Sequence, residues 1–201
     1  MLESTSKIKK YLLDFQMLMD TGVSDARISE LESSLNFKFP NDLRDILSNF
    51  VPRGIKEINN SFPDWNNESI ESLQKRFDWF TEGVFFDIKN NGFWYGKWGE
   101  EPENISKKIE IAKEKLLLEP KPIPICGHRC VLGIVNCDSS PVLSIWQTDI
   151  IYYGSDIMEY FVNEFEGFKL KVNTSDLRFK KENFWSDVIE GKGLKYSDPV
   201  P

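Results

Sequence analysis

Three residues that could ligate a metal lie close together in the sequence. Cys126, His128 and Cys130 alternate at i, i+2 and i+4, so on a strand they would share one face, and Cys137 follows nearby. Thiolates and imidazoles are the ligands that zinc prefers. The spacing is not the usual C-x2-C pair, Gly127 can break a strand, and cysteine is commonly buried as a small apolar residue. We therefore predict no metal site and no cofactor.

His128 is also the one available base for a nucleophilic cysteine, because it is the single histidine in the chain. A Cys-His dyad needs the imidazole within hydrogen-bond reach of the thiol, and a third group that orients the imidazole. The sequence contains no G-x-S-x-G elbow, no P-loop and no H-E-x-x-H motif. We predict no catalytic residue and a protein that is not an enzyme.

An aromatic cluster at residues 93–98 is the first candidate for a contact surface. Large flat side chains provide contact area at low entropic cost, so Trp94 and Trp98 could stack on a partner or a ligand. Three acids follow directly: Glu100, Glu101 and Glu103. These acids would form a negative rim that steers a basic partner. The alternative is that most of the aromatic cluster is core.

A second acidic feature is the helix predicted after Gly154. It carries four acids with no Lys or Arg between them: Asp156, Glu159, Glu164 and Glu166. If Asp156 caps the helix, Glu159 stands where a capping-box carboxylate would, and the helix dipole favours both charges. A solvated helix face is the alternative. We include Asp156, Glu159 and Glu164 among the predicted partner-binding residues.

The composition narrows the classes of partner. The 201 residues carry a formal charge of −7, which disfavours nucleic acid and favours a basic protein. Residues 1–7 do not resemble a secretion signal, and no apolar run is long enough to span a bilayer. Three cysteines are an odd number, crowded into residues 126–137, which is a poor disulfide framework. We expect a cytoplasmic protein that binds neither nucleic acid nor membrane.

Apolar residues at helical spacing predict five helices in the first part of the chain. They run from Ile8 to Met19, from Ser24 to Leu35, from Leu43 to Phe50, from about Glu68 to Gly83, and from Ile105 to Leu116. Gly22, Pro52 with Gly54, and Pro120 with Pro122 supply the breaks between or after them.

Short β-rich runs then predict a sheet, followed by a closing helix after Gly154. The runs are residues 123–125, 131–135, 142–146 and 150–153. Their short connections favour antiparallel hairpins. Beyond Gly167 we predict an edge strand at 168–172, a short helix at 183–189 and a frayed tail over the last ten residues. The fold class is therefore α+β, with helices packed around a bent, largely antiparallel sheet in a single main domain.

Three segments together resemble the SUKH superfamily, which includes fungal cell-wall-assembly regulators and bacterial toxin-immunity proteins. They are Phe39–Leu47, Ile123–Arg129 and Pro141–Gly154. The resemblance covers a SUKH-like domain at 24–166, and the residues on either side are predicted as an N-terminal helix at 1–23 and a C-terminal extension at 167–201 that packs on the domain with a frayed end. It also implies a structural turn at Gly127-His128-Arg129 and protein binding without catalysis. The chain departs from the family pattern at Pro52-Arg53-Gly54 and Cys130.

The resemblance and the charge together favour an immunity-type protein that neutralises a basic toxin, with a nuclease as the expected toxin class. The first alternative is a regulatory or scaffold protein of cell-wall or signalling type that binds an endogenous protein. The second alternative is a small-molecule or sugar site at Trp94 and Trp98.

Overall fold

The computed structural model describes residues 3–55, 62–134, 139–166 and 182–196. These residues form an α+β fold, as the sequence predicts. The helices are α1 Glu3–Asp14, α2 Asp25–Ser34, α3 Asn41–Asn49, α4 Ile70–Asn90, α5 Ile105–Leu116, α6 Ile157–Glu166 and α7 Phe184–Ile189. The strands are β1 Met17–Thr21, β2 Phe50–Ile55, β3 Phe93–Tyr95, β4 Pro122–Cys126, β5 Arg129–Leu132, β6 Val142–Trp146, β7 Asp149–Gly154 and β8 Leu194–Tyr196.

The central sheet is an antiparallel meander in the order β4-β5-β6-β7. Two-residue turns join β4 to β5 and β6 to β7, so both turns lie at the same end of the sheet. The alternating side chains supply two faces. One face carries Val131 opposite Val142, and the other carries Cys130 opposite Leu143. The four predicted strands and their antiparallel pairing are confirmed over the described residues, although β5 starts two residues before the predicted 131–135 and ends at Leu132.

Each face of the sheet is covered by its own hydrophobic cluster. The first cluster joins Val131 and Val142 to α1, α2, α3 and α6. The second joins Cys130 and Leu143 to α5, α7 and β3. Helix α4 serves both, with Phe77 in the first cluster and Phe80 in the second. The sheet is therefore the middle layer between two sets of helices.

The first covered face continues beyond its helices towards the turn end of the sheet. There Arg129 lies opposite Ser144, Ser144 opposite Ile151, and Trp146 opposite Asp149. Trp146 and Ile151 are 58% and 40% exposed. The side chains of cross-strand neighbours on one face are close enough to contact each other. An uncovered corner of the sheet thus presents apolar side chains to solvent.

The predicted first helix is wrong in its second half. Helix α1 ends at Asp14, Gln16 turns the chain at φ 57°, and residues 17–21 form β1. Strand β1 pairs antiparallel with β2, where the sequence predicted only a helix end at Pro52 and Gly54. Apolar spacing near Met19 fits a helix equally well, and the pairing with a distant segment decides the outcome. Proline is tolerated in β2 because each strand of a two-stranded sheet is an edge.

The C-terminal segment contributes to the core. Helix α7 forms as predicted, with Asn183 as its N-cap. Phe184 and Trp185 belong to the second cluster. Strand β8 pairs with β3, so the prediction of a frayed tail is wrong for residues 194–196, because this backbone finds hydrogen-bond partners in β3. The predicted edge strand at 168–172 lies outside the described residues.

In the described ranges, no helix is both long enough and apolar enough to cross a bilayer.

Candidate functional site

The structure places Trp94 and Trp98 in the core. Their exposed fractions are 0% and 7%. The Trp94 indole donates a hydrogen bond to the Gly99 carbonyl at 3.1 Å, and the Trp98 ring stacks on Phe184 with centroids 5.2 Å apart. The expectation that these rings form an exposed contact surface is therefore wrong, because α7 and β8 return to cover them. The small-molecule site expected there loses its aromatic platform for the same reason.

The three acids after this cluster do not form a purely negative rim. Glu100 and Glu103 are exposed, whereas Glu101 forms an ion pair with Lys108 on α5. Lys107, one residue earlier on α5, forms an ion pair with Glu110 at 2.8 Å. Opposite charges therefore alternate along this surface, which weakens the steering effect that the sequence suggested.

The acids of α6 each have a partner within the chain. The backbone N–H of Glu159 donates to Asp156 at 2.7 Å, and the Glu159 carboxylate accepts from the N–H of Ser155 at 2.6 Å. This is the predicted helix cap, reaching back one residue further than a standard capping box. Glu164 lies 3.5 Å from Nε of Arg129, and Glu166 accepts from the hydroxyl of Tyr11 at 3.0 Å. Structural roles account for much of this acidity.

The cysteines and the histidine lie on a hairpin and not on one strand. Cys126 ends β4, Gly127 and His128 form the turn, and Cys130 belongs to β5. Cys126 packs against the first cluster, and Cys130 lies in the second. Among the described residues, which exclude Cys137, no group of three or more potential ligands could hold a metal. Burial raises the pKa of the Cys130 thiol well above its ordinary value, so this thiol is protonated at neutral pH.

A different aromatic group lies exposed beside the uncovered corner of the sheet. The rings of Trp79 and Trp146 meet edge to face with centroids 5.7 Å apart, and His128 lies 5.9 Å from Trp146. They border a cleft of about 440 Å³. Its lining residues are Glu68, Ser72, Lys75, Arg76, Trp79, Gly127, His128 and Trp146. We call this feature the tryptophan cleft.

The turn between β6 and β7 is fixed against α4, and this fixes Trp146. The backbone N–H and the hydroxyl of Thr148 both donate to the buried Asp87 carboxylate, at 2.8 and 2.5 Å. A Cβ on Gly83 would lie 2.9 Å from Cα of Gln147, so only glycine permits this approach. The prediction that Gly83 ends the helix is wrong, because α4 continues to Asn90. The turn residue Gln147 has φ 58°, a conformation that its docking maintains.

The neighbouring turn fixes His128. Gly127 adopts φ 54°, and the carbonyl of His128 accepts from the N–H of Ile145 at 3.0 Å. Burial, together with the adjacent Arg129 guanidinium, lowers the pKa of His128 below its ordinary value. The imidazole is therefore neutral at pH 7, and it has a T-shaped contact with Trp146.

Arg129 links the cleft to the uncovered corner. Its guanidinium lies 3.8 Å from the centroid of the Tyr153 ring and donates to Ser144 at 2.8 Å. Its Nε faces Glu164 at 3.5 Å. A guanidinium held by a ring, a hydroxyl and a carboxylate is a positioned structural group, so its charge is largely satisfied inside the chain.

The tryptophan cleft has the character of a binding surface. Exposed paired tryptophans on a fixed scaffold are typical of residues that dominate protein interfaces. Sequence reasoning missed this site, although two signals existed. Trp79 lies outside the apolar face formed by Phe77 and Phe80, and Trp146 shares its strand face with the polar Ser144. Neither signal shows that the two rings meet.

Comparison with known proteins gives one distant likeness. The chain is 22% identical over 203 aligned residues to the Candida glabrata protein named iron-sulfur cluster assembly factor IBA57 homolog, mitochondrial. The alignment covers 98% of this chain and 38% of that protein. No family model matches the chain, and no solved structure matches it. A likeness at this identity leaves the family of the chain open.

Proposed function

We propose that this chain is a non-enzymatic protein-binding domain that engages its partner through the tryptophan cleft. The observation that carries this proposal is the pair of exposed indole rings, Trp79 and Trp146, at an uncovered corner of the sheet. Apolar groups left exposed on a rigid support gain free energy when a partner removes them from water.

The support beneath the two rings reduces the cost of binding. Asp87 and Gly83 hold the β6–β7 turn, so Trp146 is positioned before a partner arrives. Binding to a surface that is already ordered loses less conformational entropy than binding to a mobile loop. A stable interface buries about 800 Å² per partner, so the contact must extend from the cleft over Ile151 and its neighbours.

The biological role that we propose is immunity: the partner is a basic toxin, with a nuclease as the expected class. The formal charge of −7 and the resemblance to the SUKH superfamily support this role. The function of the Candida glabrata protein is not transferred, since this chain covers 38% of its length.

Affinity capture with matched variants tests the proposal. The wild-type chain and a Trp79→Ala/Trp146→Ala variant are used as baits in a lysate of the encoding organism. A Leu117→Ala/Leu118→Ala variant is the control, because these two side chains are also apolar and each is 82% exposed. The proposal expects one partner to be retained by the wild type and the control but lost from the tryptophan variant. Equal retention by all three baits would refute the role of the cleft.

Co-expression then tests immunity. The captured partner is expressed with the wild-type chain or with the tryptophan variant, and cell growth is measured. Immunity requires growth arrest that the wild-type chain suppresses and the variant does not. A partner that is harmless when expressed alone would refute immunity and support the regulatory or scaffold alternative.

A further inference from the structure

The basic side chains that line the tryptophan cleft are already paired with acids of the same chain. Nζ of Lys75 lies 3.0 Å from Glu71, and Nε of Arg76 lies 2.8 Å from Glu68. Arg129, beside the cleft, is held as described above, and the imidazole of His128 is neutral at pH 7. The cleft therefore presents little uncompensated positive charge to a partner.

The β7 side of Trp146 carries an acid without such a partner. Asp149 lies directly across the strand pair from Trp146 and is exposed, and its side-chain carboxylate has neither an ion pair nor a hydrogen bond within the described ranges. Side chains in that position have Cβ atoms about 4.5–5.5 Å apart. Residues 149–166 contain five acids and no Lys or Arg. The other four acids of this segment have partners within the chain, so Asp149 is its one uncompensated acid among the described residues.

The open ring of Trp146 adds a second element of recognition for a cation. Tryptophan is the best aromatic partner for a cation, which binds over the ring face within about 6 Å of the centroid. Trp79 and His128 both meet Trp146 in T-shaped contacts, and Trp146 remains 58% exposed. A planar guanidinium can stack on such a ring while it donates hydrogen bonds in its own plane to a carboxylate.

From this arrangement we propose that the tryptophan cleft captures an exposed arginine side chain of the partner protein. The guanidinium stacks on Trp146 and pairs with Asp149. This inference rests on the proposed function, and it specifies the chemistry of the surface that the partner offers. Arginine is preferred over lysine because the ammonium group cannot both stack and form a bidentate pair.

Peptide titration monitored by NMR tests this recognition directly. A short blocked peptide with one central arginine is added to the ¹⁵N-labelled chain, and the indole N–H signals of Trp79 and Trp146 are followed. The expected result is a shift of both signals with a Kd in the millimolar range, because a single side chain provides only a few contacts. A citrulline peptide, which keeps the shape but lacks the charge, should bind about three- to tenfold more weakly.

Two variants separate the contributions of the residues. Asp149→Asn should weaken binding of the arginine peptide several-fold, whereas Glu114→Gln, which neutralises an exposed acid on α5, should not change it. Equal binding of the arginine and citrulline peptides, or unchanged affinity in Asp149→Asn, would refute the proposal. If the tryptophan variant loses its partner but the wild type shows no preference for the arginine peptide, the protein-binding role of the cleft stands and the arginine site is refuted. If the wild type prefers the arginine peptide but the tryptophan variant still captures the partner, the arginine site stands and the protein-binding role of the cleft is refuted.

Discussion

Replacing Gly83 with alanine should destabilise the chain, although alanine is the better helix former. Gly83 lies inside α4, and a Cβ built there would lie 2.9 Å from Cα and 3.1 Å from the backbone N of Gln147. Carbon atoms in good contact are about 3.5–4.0 Å apart, so the turn would have to retreat by about 0.6–1.1 Å. The turn cannot retreat freely, because Thr148 is hydrogen-bonded to Asp87.

The magnitude follows from two opposing effects. Alanine in place of glycine stabilises an exposed helix interior by about 0.8–1.0 kcal/mol. Overpacking against backbone costs about 1–3 kcal/mol. We therefore expect Gly83→Ala to lower the free energy of unfolding by up to about 2 kcal/mol. The stability difference between Lys75→Ala and Lys75→Gly, at an exposed position of the same helix, measures the effect of helix propensity alone.

Urea denaturation followed by circular dichroism measures these differences, and a double-mutant cycle identifies their cause. In an Asp87→Ala background the turn loses its anchor and can move, so Gly83→Ala should become neutral or stabilising there. A stabilisation of about 1 kcal/mol in the wild-type background would show that the turn moves without cost. The turn would then be too mobile to fix Trp146.

Three further predictions concern stability. Burial would raise the pKa of Asp187, but the hydrogen bonds from Lys97 and Tyr95 hold that pKa below its ordinary value, so the group stabilises the fold above about pH 4 and this contribution is lost as the pH falls further. Asp187→Asn should lower the free energy of unfolding by about 1.5–3 kcal/mol at pH 7 and reduce its dependence on pH in the acid range, as measured by denaturation at several pH values. Trp185→Ala should cost about 3–5 kcal/mol because the ring is buried, whereas Trp146→Ala should change stability by less than about 0.5 kcal/mol; equal thermal shifts would contradict the assignment of one ring to the core and the other to the surface. Glu32→Gln should cost about 1–3 kcal/mol, because the buried carboxylate accepts from Lys38, Arg44 and the N–H of Phe39, and an unchanged urea midpoint would contradict this.

The parts of the fold that the sequence predicted are those held by short-range patterns. Of the four strands between Pro122 and Gly154, β4 with β5 and β6 with β7 are each joined by a two-residue turn, so the pairing within each hairpin follows from the order of its strands. Helix α5 begins at a side-chain cap on Asn104 and ends before two prolines. Strand β1 was not predicted, because its partner β2 is distant in the sequence and the local spacing of Met17 and Met19 fits a helix as well.

The burial of Trp94 and Trp98 was not predicted for a related reason. Trp94 and Trp98 lie in the most aromatic part of the chain, and the cluster that buries them includes residues 184–188, which are distant in the sequence. The tryptophan cleft combines one helix with two turns, so no single stretch of sequence contains it. The helix after Gly154 forms as predicted, but the sequence does not show that Arg129 and Tyr11 engage two of its acids.

The pairing of β3 with β8 has a consequence during synthesis. Tyr95 pairs with Leu194, which is synthesised much later. Because ribosomes add about 5–20 residues per second, Leu194 is added roughly 5–20 s after Tyr95. Through that interval the nascent chain displays Phe93, Trp94 and Trp98 without their cover. Such a segment is a natural substrate for chaperones that bind exposed aromatic stretches, and we expect the yield of folded protein to depend on them more than its final stability suggests.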